Sequence, residues 1–180
     1  MDDPLVSIIC TADVTSSTLS NILDTAYRRD LEGPPSLILL SANDSSGLSQ
    51  LTEESASQPP IVEPFASSFT GMAITDVALF LHGSAQDTVI STHFFFIADA
   101  QTATDQSLLL VQINWDDPTV IQTVRVAAEH ANREAVSLTM GITGVNELRS
   151  LVDEDGIYRG GPPQLSPFDG PARKLVRSAF

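Results

Sequence analysis

The chain has 180 residues, 42% of them apolar, and its 23 acidic side chains outnumber nine basic ones to give a formal net charge of −14. That length suits one domain with a buried core. No lysine or arginine stands between Arg29 and Arg125, an interval holding twelve acids, so nucleic acid and anionic membranes, which need phosphate neutralised by basic residues, are excluded as expected partners.

The opening MDDPLVSIIC lacks the basic region and long apolar segment of a secretory leader. No stretch approaches the roughly 20 apolar residues that span a bilayer, and a cytoplasmic protein is expected. Leu5–Cys10 is a short apolar run after Pro4 and reads as the first strand. Cys10 is the sole cysteine, which rules out a disulfide framework or a thiolate zinc cluster and suits core packing. Oxygen-bearing cap residues occupy Asp13 to Ser17. Leu19, Ile22, Leu23, Ala26 and Tyr27 then recur at helical spacing, and Arg28 and Arg29 complement the dipole of the last turn. Gly33-Pro34-Pro35 stops the helix. Leu37–Leu40 is the second strand, so a parallel strand–helix–strand unit is expected.

Residues 41–68 are rich in serine and proline and read as a long surface connection with at most one helical turn near Leu48–Glu54. Its apolar end, Ile61, Val62 and Phe65 to Phe69, either folds over a pocket or packs on the sheet edge. Ile74, Val77, Ala78 and Leu81 mark a second helix. Phe94–Ala98 and Leu108–Val111 are short apolar runs without basic residues, proline or glycine, which fits a central pair of strands buried on both faces. Ile121–Val126 reads as a fifth strand at the sheet edge. Glu129–Ala135 reads as helical, Val136–Met140 alternates like a short strand, and Val145, Leu148, Leu151 and Val152 form a last helical stripe. Ile157–Tyr158 returns to the sheet.

The expected architecture is α/β, with α+β as the alternative: a single domain over residues 1–161 with a mixed five- or six-stranded sheet and about three helices. An irregular tail follows at 162–180, where Arg173, Lys174 and Arg177 are read as solubilising.

Strong chemical signatures are few. Phosphate-binding glycine loops, paired histidines at ligand spacing and a nucleophile elbow are all missing, so neither a cofactor nor a metal is expected. Asp153-Glu154-Asp155-Gly156 opens like a calcium loop, but its twelfth position is Gln164, and an EF-hand needs a glutamate there. The segment reads instead as a helix end with Gly156 in a left-handed turn, its charge offset by Arg159 or Arg149. Asp99 follows a central strand at its carboxyl end, where open α/β sheets gather ligand contacts. Desolvated there, it would have a raised pKa and serve as acid or base; alternatively it caps the next turn. His93 and His130 each read as a hydrogen-bonded structural histidine. Trp115 and Tyr158 are amphipathic aromatics at strand ends, suited to line a pocket or close a core.

Ile97-Ala98-Asp99, Arg125-Val126 and Asp153 to Gly160, with the opening LVSIICTAD, resemble a family of small bacterial and fungal proteins defined as a domain of unknown function. That family's pattern runs from a strand ending Val-Ala-Asp to a closing Asp-Glu-Asp-Gly-hydrophobic-Arg-Gly. The resemblance spans roughly residues 5–161; Val136-Ser137-Leu138 stands where the family has Asn-Leu-Ser. It implies a fold unit and brings no activity with it.

Two function classes follow. The first is a cofactor-independent enzyme of small-molecule metabolism that binds an apolar substrate and promotes cyclisation, isomerisation or elimination, by analogy with the small pericyclases of natural-product pathways. Asp99 would be its acid or base, Arg125 a charge stabiliser, and Phe94, Phe96, Trp115 and Tyr158 its apolar wall. The second is a non-catalytic acidic module for a basic protein partner. A homodimer is compatible with either.

Overall fold

The computed structural model describes residues 4–29 and 33–161; the expected tail at 162–180, with its basic cluster, lies outside them. Six strands form one mixed sheet in the order β2-β1-β3-β4-β5-β6. The strands are β1 (Leu5–Cys10), β2 (Leu37–Leu40), β3 (Ile90–Ala98), β4 (Leu108–Ile113), β5 (Ile121–Val126) and β6 (Ile157–Tyr158). The helices are α1 (Ser16–Arg29), the one-turn α2 (Ser45–Leu48), α3 (Ile74–Ser84), the one-turn α4 (Thr102–Asp105), α5 (Ala128–Thr139) and α6 (Val145–Ser150).

β1 is buried along its whole length because helices cover both faces of the sheet. Val6, Ile8 and Cys10 point into one core with α1, α5 and α6, and Leu5 and Ile9 point into the other, beneath α3. Strands buried on both sides are mostly apolar, which is why β1, apart from the buried Ser7, and the Phe94–Ala98 half of β3 read as apolar runs rather than alternating ones. β3 and β4 are the central antiparallel pair, as the sequence predicts. β1 runs parallel to both β2 and β3.

Two expectations change. Val136–Met140 is no strand: α5 runs through to Thr139. Its buried positions Ala128, Ala131, Ala135 and Leu138 share helical spacing, and that longer period overrides a five-residue alternation. β5 is not the edge, because β6 pairs with it through Arg125–Ile157 and Val126–Tyr158.

The long serine- and proline-rich connection is bonded in place. Ser57 donates its N–H to Leu37 O at 2.8 Å and its hydroxyl accepts from Leu39 N at 2.8 Å, which covers the free edge of β2. The Tyr27 hydroxyl lies 2.8 Å from Ser57 O, and Ile61 N donates to Ser20 Oγ at 2.8 Å. Farther on, Ser67 Oγ donates to Cys10 O at 2.7 Å and Gly71 N to Thr11 O at 2.9 Å. Residues 49–73 therefore form a strap running from the sheet edge across the carboxyl end of β1. Phe69 anchors it, fully buried in the core beneath α3.

Candidate functional site

From β2 to β1 to β3 the strands are parallel, yet the chain leaves β1 in one direction through α1 and reaches β3 on the other side through the strap and α3. α1 packs on one face and α3 on the other. The carboxyl end of β1 is thus a topological switch point, the place where two crossovers diverge and leave a crevice. A cavity of about 200 Å³ occupies it, lined by Cys10, Ala12, Val14, Phe65, Ser67 and Thr70 among others. A groove of about 400 Å³ at the same place shares Asp13, Val14 and Phe65 with it and adds Glu63 and Pro64.

Each wall has a local cause. Thr15 caps α1, its hydroxyl accepting from Thr18 N at 3.2 Å, which turns the chain sharply after β1 and sets Val14 into the core. The strap supplies the opposite wall: Phe65 is half-buried against the α1-side core, held there by the Ser67 bond to Cys10 O. The Cys10 thiol is buried, and burial pushes its pKa up to about 12. It is a neutral thiol and not a nucleophile at physiological pH.

Asp99 and Arg125 are brought together. The Arg125 guanidinium donates to Asp99 Oδ2 and also bonds the hydroxyl and carbonyl of Ser107. The other Asp99 oxygen accepts from Gln101 N, Thr102 N and Thr102 Oγ1, each at 3.1–3.2 Å. The expectation of a raised Asp99 pKa is corrected by this geometry. Burial does push it upward, but the Arg125 and Thr102 hydrogen bonds outweigh that and hold the carboxyl below its usual value. Asp99 stays ionised, caps α4 and ties the ends of β3, β4 and β5; it carries no proton to give at neutral pH.

The four aromatic candidates do not form one wall. Phe96 is fully buried in the main core and leaves no surface for a ligand, while Phe94 is partly buried against the same core. Trp115 follows β4 in the turn to β5, is 73% exposed, and stacks on His93. Burial lowers the His93 pKa and outweighs a hydrogen bond with the Ile113 backbone, which raises it. Tyr158 is buried and donates its hydroxyl to Glu134 Oε1 at 3.1 Å. Burial raises the Glu134 pKa against that bond and raises the Tyr158 phenol to about 12.

His130 and Gly160 complete that cluster. The His130 ring packs edge-on to Tyr158 and its Nε2 lies 3.2 Å from Glu129 Oε1. A Cβ at Gly160 would overlap the ring, so the backbone there passes flat across the imidazole. Two residues on along the same helix, Asn132 Oδ1 accepts from Ser36 N at 2.9 Å. α5 is thereby tied both to β6 and to the segment entering β2, the two edges of the sheet.

The crevice residues Asp13, Val14, Glu63 and Phe65 were not among the site residues expected from sequence. The available signal was positional: Asp13-Val14 lies just beyond the carboxyl end of a buried parallel strand, and Phe65 belongs to the apolar end of the long connection.

Comparisons with curated proteins and with solved structures returned no match for the chain. Residues 48–161, well over half of the chain, match the model of a family described as a domain of unknown function (DUF6924), and the protein belongs to that family.

Proposed function

We propose that the protein binds a small molecule in the crevice between α1 and the strap. The observation that carries this reading is a half-open cavity of about 200 Å³ at the switch point of the sheet, with one wall supplied by a strap bonded to the β1 backbone rather than by a loose loop. Sites of this kind combine an apolar wall with a few polar groups that fix orientation, and Val14 and Phe65 beside Ser67 and Asp13 meet that description. The enzymatic form of the proposal is a cofactor-independent cyclisation, isomerisation or elimination. It would act through ligand shape and orientation, with the ionised Asp99–Arg125 pair fixing neighbouring strand ends instead of moving protons.

A thermal-shift screen against lipophilic metabolites tests it. A ligand at about 100 times its dissociation constant adds roughly 2.7 kcal/mol, or about 5–11 °C at roughly 2–4 °C per kcal/mol. Such a shift, lost in Phe65→Ala, is the expected result. A shift that Phe65→Ala leaves intact counts against the crevice.

The second reading, an acidic module for a basic protein, draws on the net charge of −14 and on Trp115, Val120, Met140 and Ile142. These are half to three-quarters exposed in two turns that lie outside the crevice lining. Retention of a basic partner by wild type, lost on Trp115→Ala, would favour it.

A further inference from the structure

We propose that Trp115 and His93 form an acid-opened latch. At neutral pH the indole closes over the imidazole, and charging His93 lifts Trp115 and the whole β4–β5 turn away from the sheet. The latch is separate from the crevice and does not rest on it.

The turn is built to move as one piece. Asn114 Oδ1 accepts from Asp116 N at 2.9 Å and from Asp117 N at 3.3 Å. Asp117 Oδ1 accepts from Thr119 N at 3.0 Å and from Thr119 Oγ1 at 2.6 Å. Val120 N donates to Asp117 O and Asn114 N to Val120 O, both at 3.0 Å. Among the described residues, then, the hydrogen bonds of 114–120 stay within the hairpin. The Trp115 ring reaches out of it to β3, where it lies on His93 with ring centroids 3.1 Å apart and planes 36° from parallel. The indole remains 73% exposed, so it acts as a lid and not as a core residue.

Beneath the lid is a base with little provision for charge. Both His93 ring nitrogens are shut off from solvent, and a hydrogen bond with the Ile113 backbone serves the ring. Neutral imidazole has one N–H and imidazolium has two, so protonation creates a second donor that needs water or an acceptor. The groups facing His93 do not supply one. α3 contributes His82, whose own Nδ1 is buried without a partner and whose charge opposes that of His93. β3 contributes Ser91 and Phe94, both uncharged. The turn carries Asp116 and Asp117, and Asp117 is held by Thr119; neither bears on the charge of the ring.

Cation–π attraction to the indole favours a charged His93 and opposes release. Burial and His82 act the other way, and burial is the largest influence on the ring. The closed latch therefore holds His93 below its ordinary value of 6.5. Closure is complete above that value and is lost progressively as pH falls below it. The consequence is a turn surface, Trp115 with Val120, whose position depends on acidity.

The test follows the isotope-labelled full chain by NMR from about pH 7.5 to 5, the range in which histidine titrates. At the upper end the His93 ring protons should be shifted upfield by the indole face and the 114–120 amides should be rigid. Below about 6.5 the upfield shift should vanish as the turn amides and the indole N–H lose order, while β1 and α1 keep theirs. His93→Phe keeps a ring beneath Trp115 without a titrating proton, so its turn should stay ordered throughout. Trp115→Ala, at an exposed position, should bring the His93 midpoint back towards 6.5 as water reaches the ring. Charging of His93 with its ring protons still upfield and the turn still ordered overturns the latch. Equal loosening in His93→Phe, or collapse of the whole amide spectrum over the same range, assigns the transition to other groups and also overturns it. An unchanged His93 midpoint in Trp115→Ala overturns the role of the indole as lid.

Discussion

In the closing segment 153–160, Arg159 bonds both Asp153 and Asp155, Gly156 takes the left-handed turn at φ +78°, and Gly160 lies flat on His130. The strap at 49–73 sends its bonds outward instead, to β1, β2 and α1, and leaves Glu63 and Phe65 lining a groove beside Val14. The closing segment has the more specific residue pattern, yet nearly all of that specificity goes into making one turn and docking one short strand. The strap has a bland composition and forms one wall of the crevice. A distinctive motif can record a demand of shape, while the groups left for a ligand are those the fold does not use.

The comparison breaks most sharply at Gly160. Gly160→Ala has to place a Cβ into the His130 ring at φ +80°, combining overpacking with left-handed strain. A loss of about 3 kcal/mol or more is expected, read as a fall in Tm of roughly 6–12 °C. His130→Ala in the same chain should restore part of it. A Tm within about 2 °C of wild type would mean that the segment is not pinned as described.

Next comes Arg125→Met, which strands the Asp99 carboxylate. The pair is partly buried, with 11% and 28% side-chain exposure, so about 2 kcal/mol is expected, below the range for fully buried pairs. The pH dependence follows from the lowered pKa of Asp99. The stability it contributes is present above the unfolded carboxylate value near 3.8 and is lost as pH falls through the lower folded value. Urea titrations should therefore show a shallower acid limb in Arg125→Met than in wild type; equal slopes would contradict the assignment.

Glu134 has the opposite sign. Its folded pKa is raised by burial above 4.5, so its contribution is complete below that value and is lost as pH rises through the folded pKa. Glu134→Gln keeps an acceptor for Tyr158 and removes the titration, so it should gain on wild type at pH 8 and not at pH 4. His130, lowered by burial, works the other way, losing stability as pH falls below about 6.5. The Glu134→Gln comparison at fixed His130 isolates the carboxyl. The smallest stability change belongs to Phe65→Ala, about 1 kcal/mol for a half-exposed side chain, with its main effect on ligand binding.

Much of the sheet is legible in the sequence because burial on both faces writes itself as apolar runs at Leu5–Cys10, interrupted only by Ser7, and at Phe94–Ala98. The left-handed turn at Gly156 and its neutralisation by Arg159 are local and equally readable. Val136–Met140 misleads because a β-branched alternation at a helix end resembles a strand until the alanine stripe from Ala128 is followed through it. The edge position of β5 misleads because a two-residue strand carries almost no pattern of its own. The candidate site is hidden for a different reason. Ser67 reaches Cys10 and Ser57 reaches Tyr27 across tens of residues, and no periodicity encodes such bonds. For Asp99 the position was readable and its protonation was not, since that depends on Arg125, which is distant in sequence and is brought near only by the pairing of β3 and β5 on either side of β4.

The most direct test is an amide chemical-shift screen of the full chain against a library of single-ring fragments. Shifts are expected to concentrate on Ala12 to Val14, Phe65 to Ser67 and Thr70, the two walls of the crevice. Shifts that concentrate instead around Trp115, Val120, Met140 and Ile142 would contradict it and make the exposed turns the working surface.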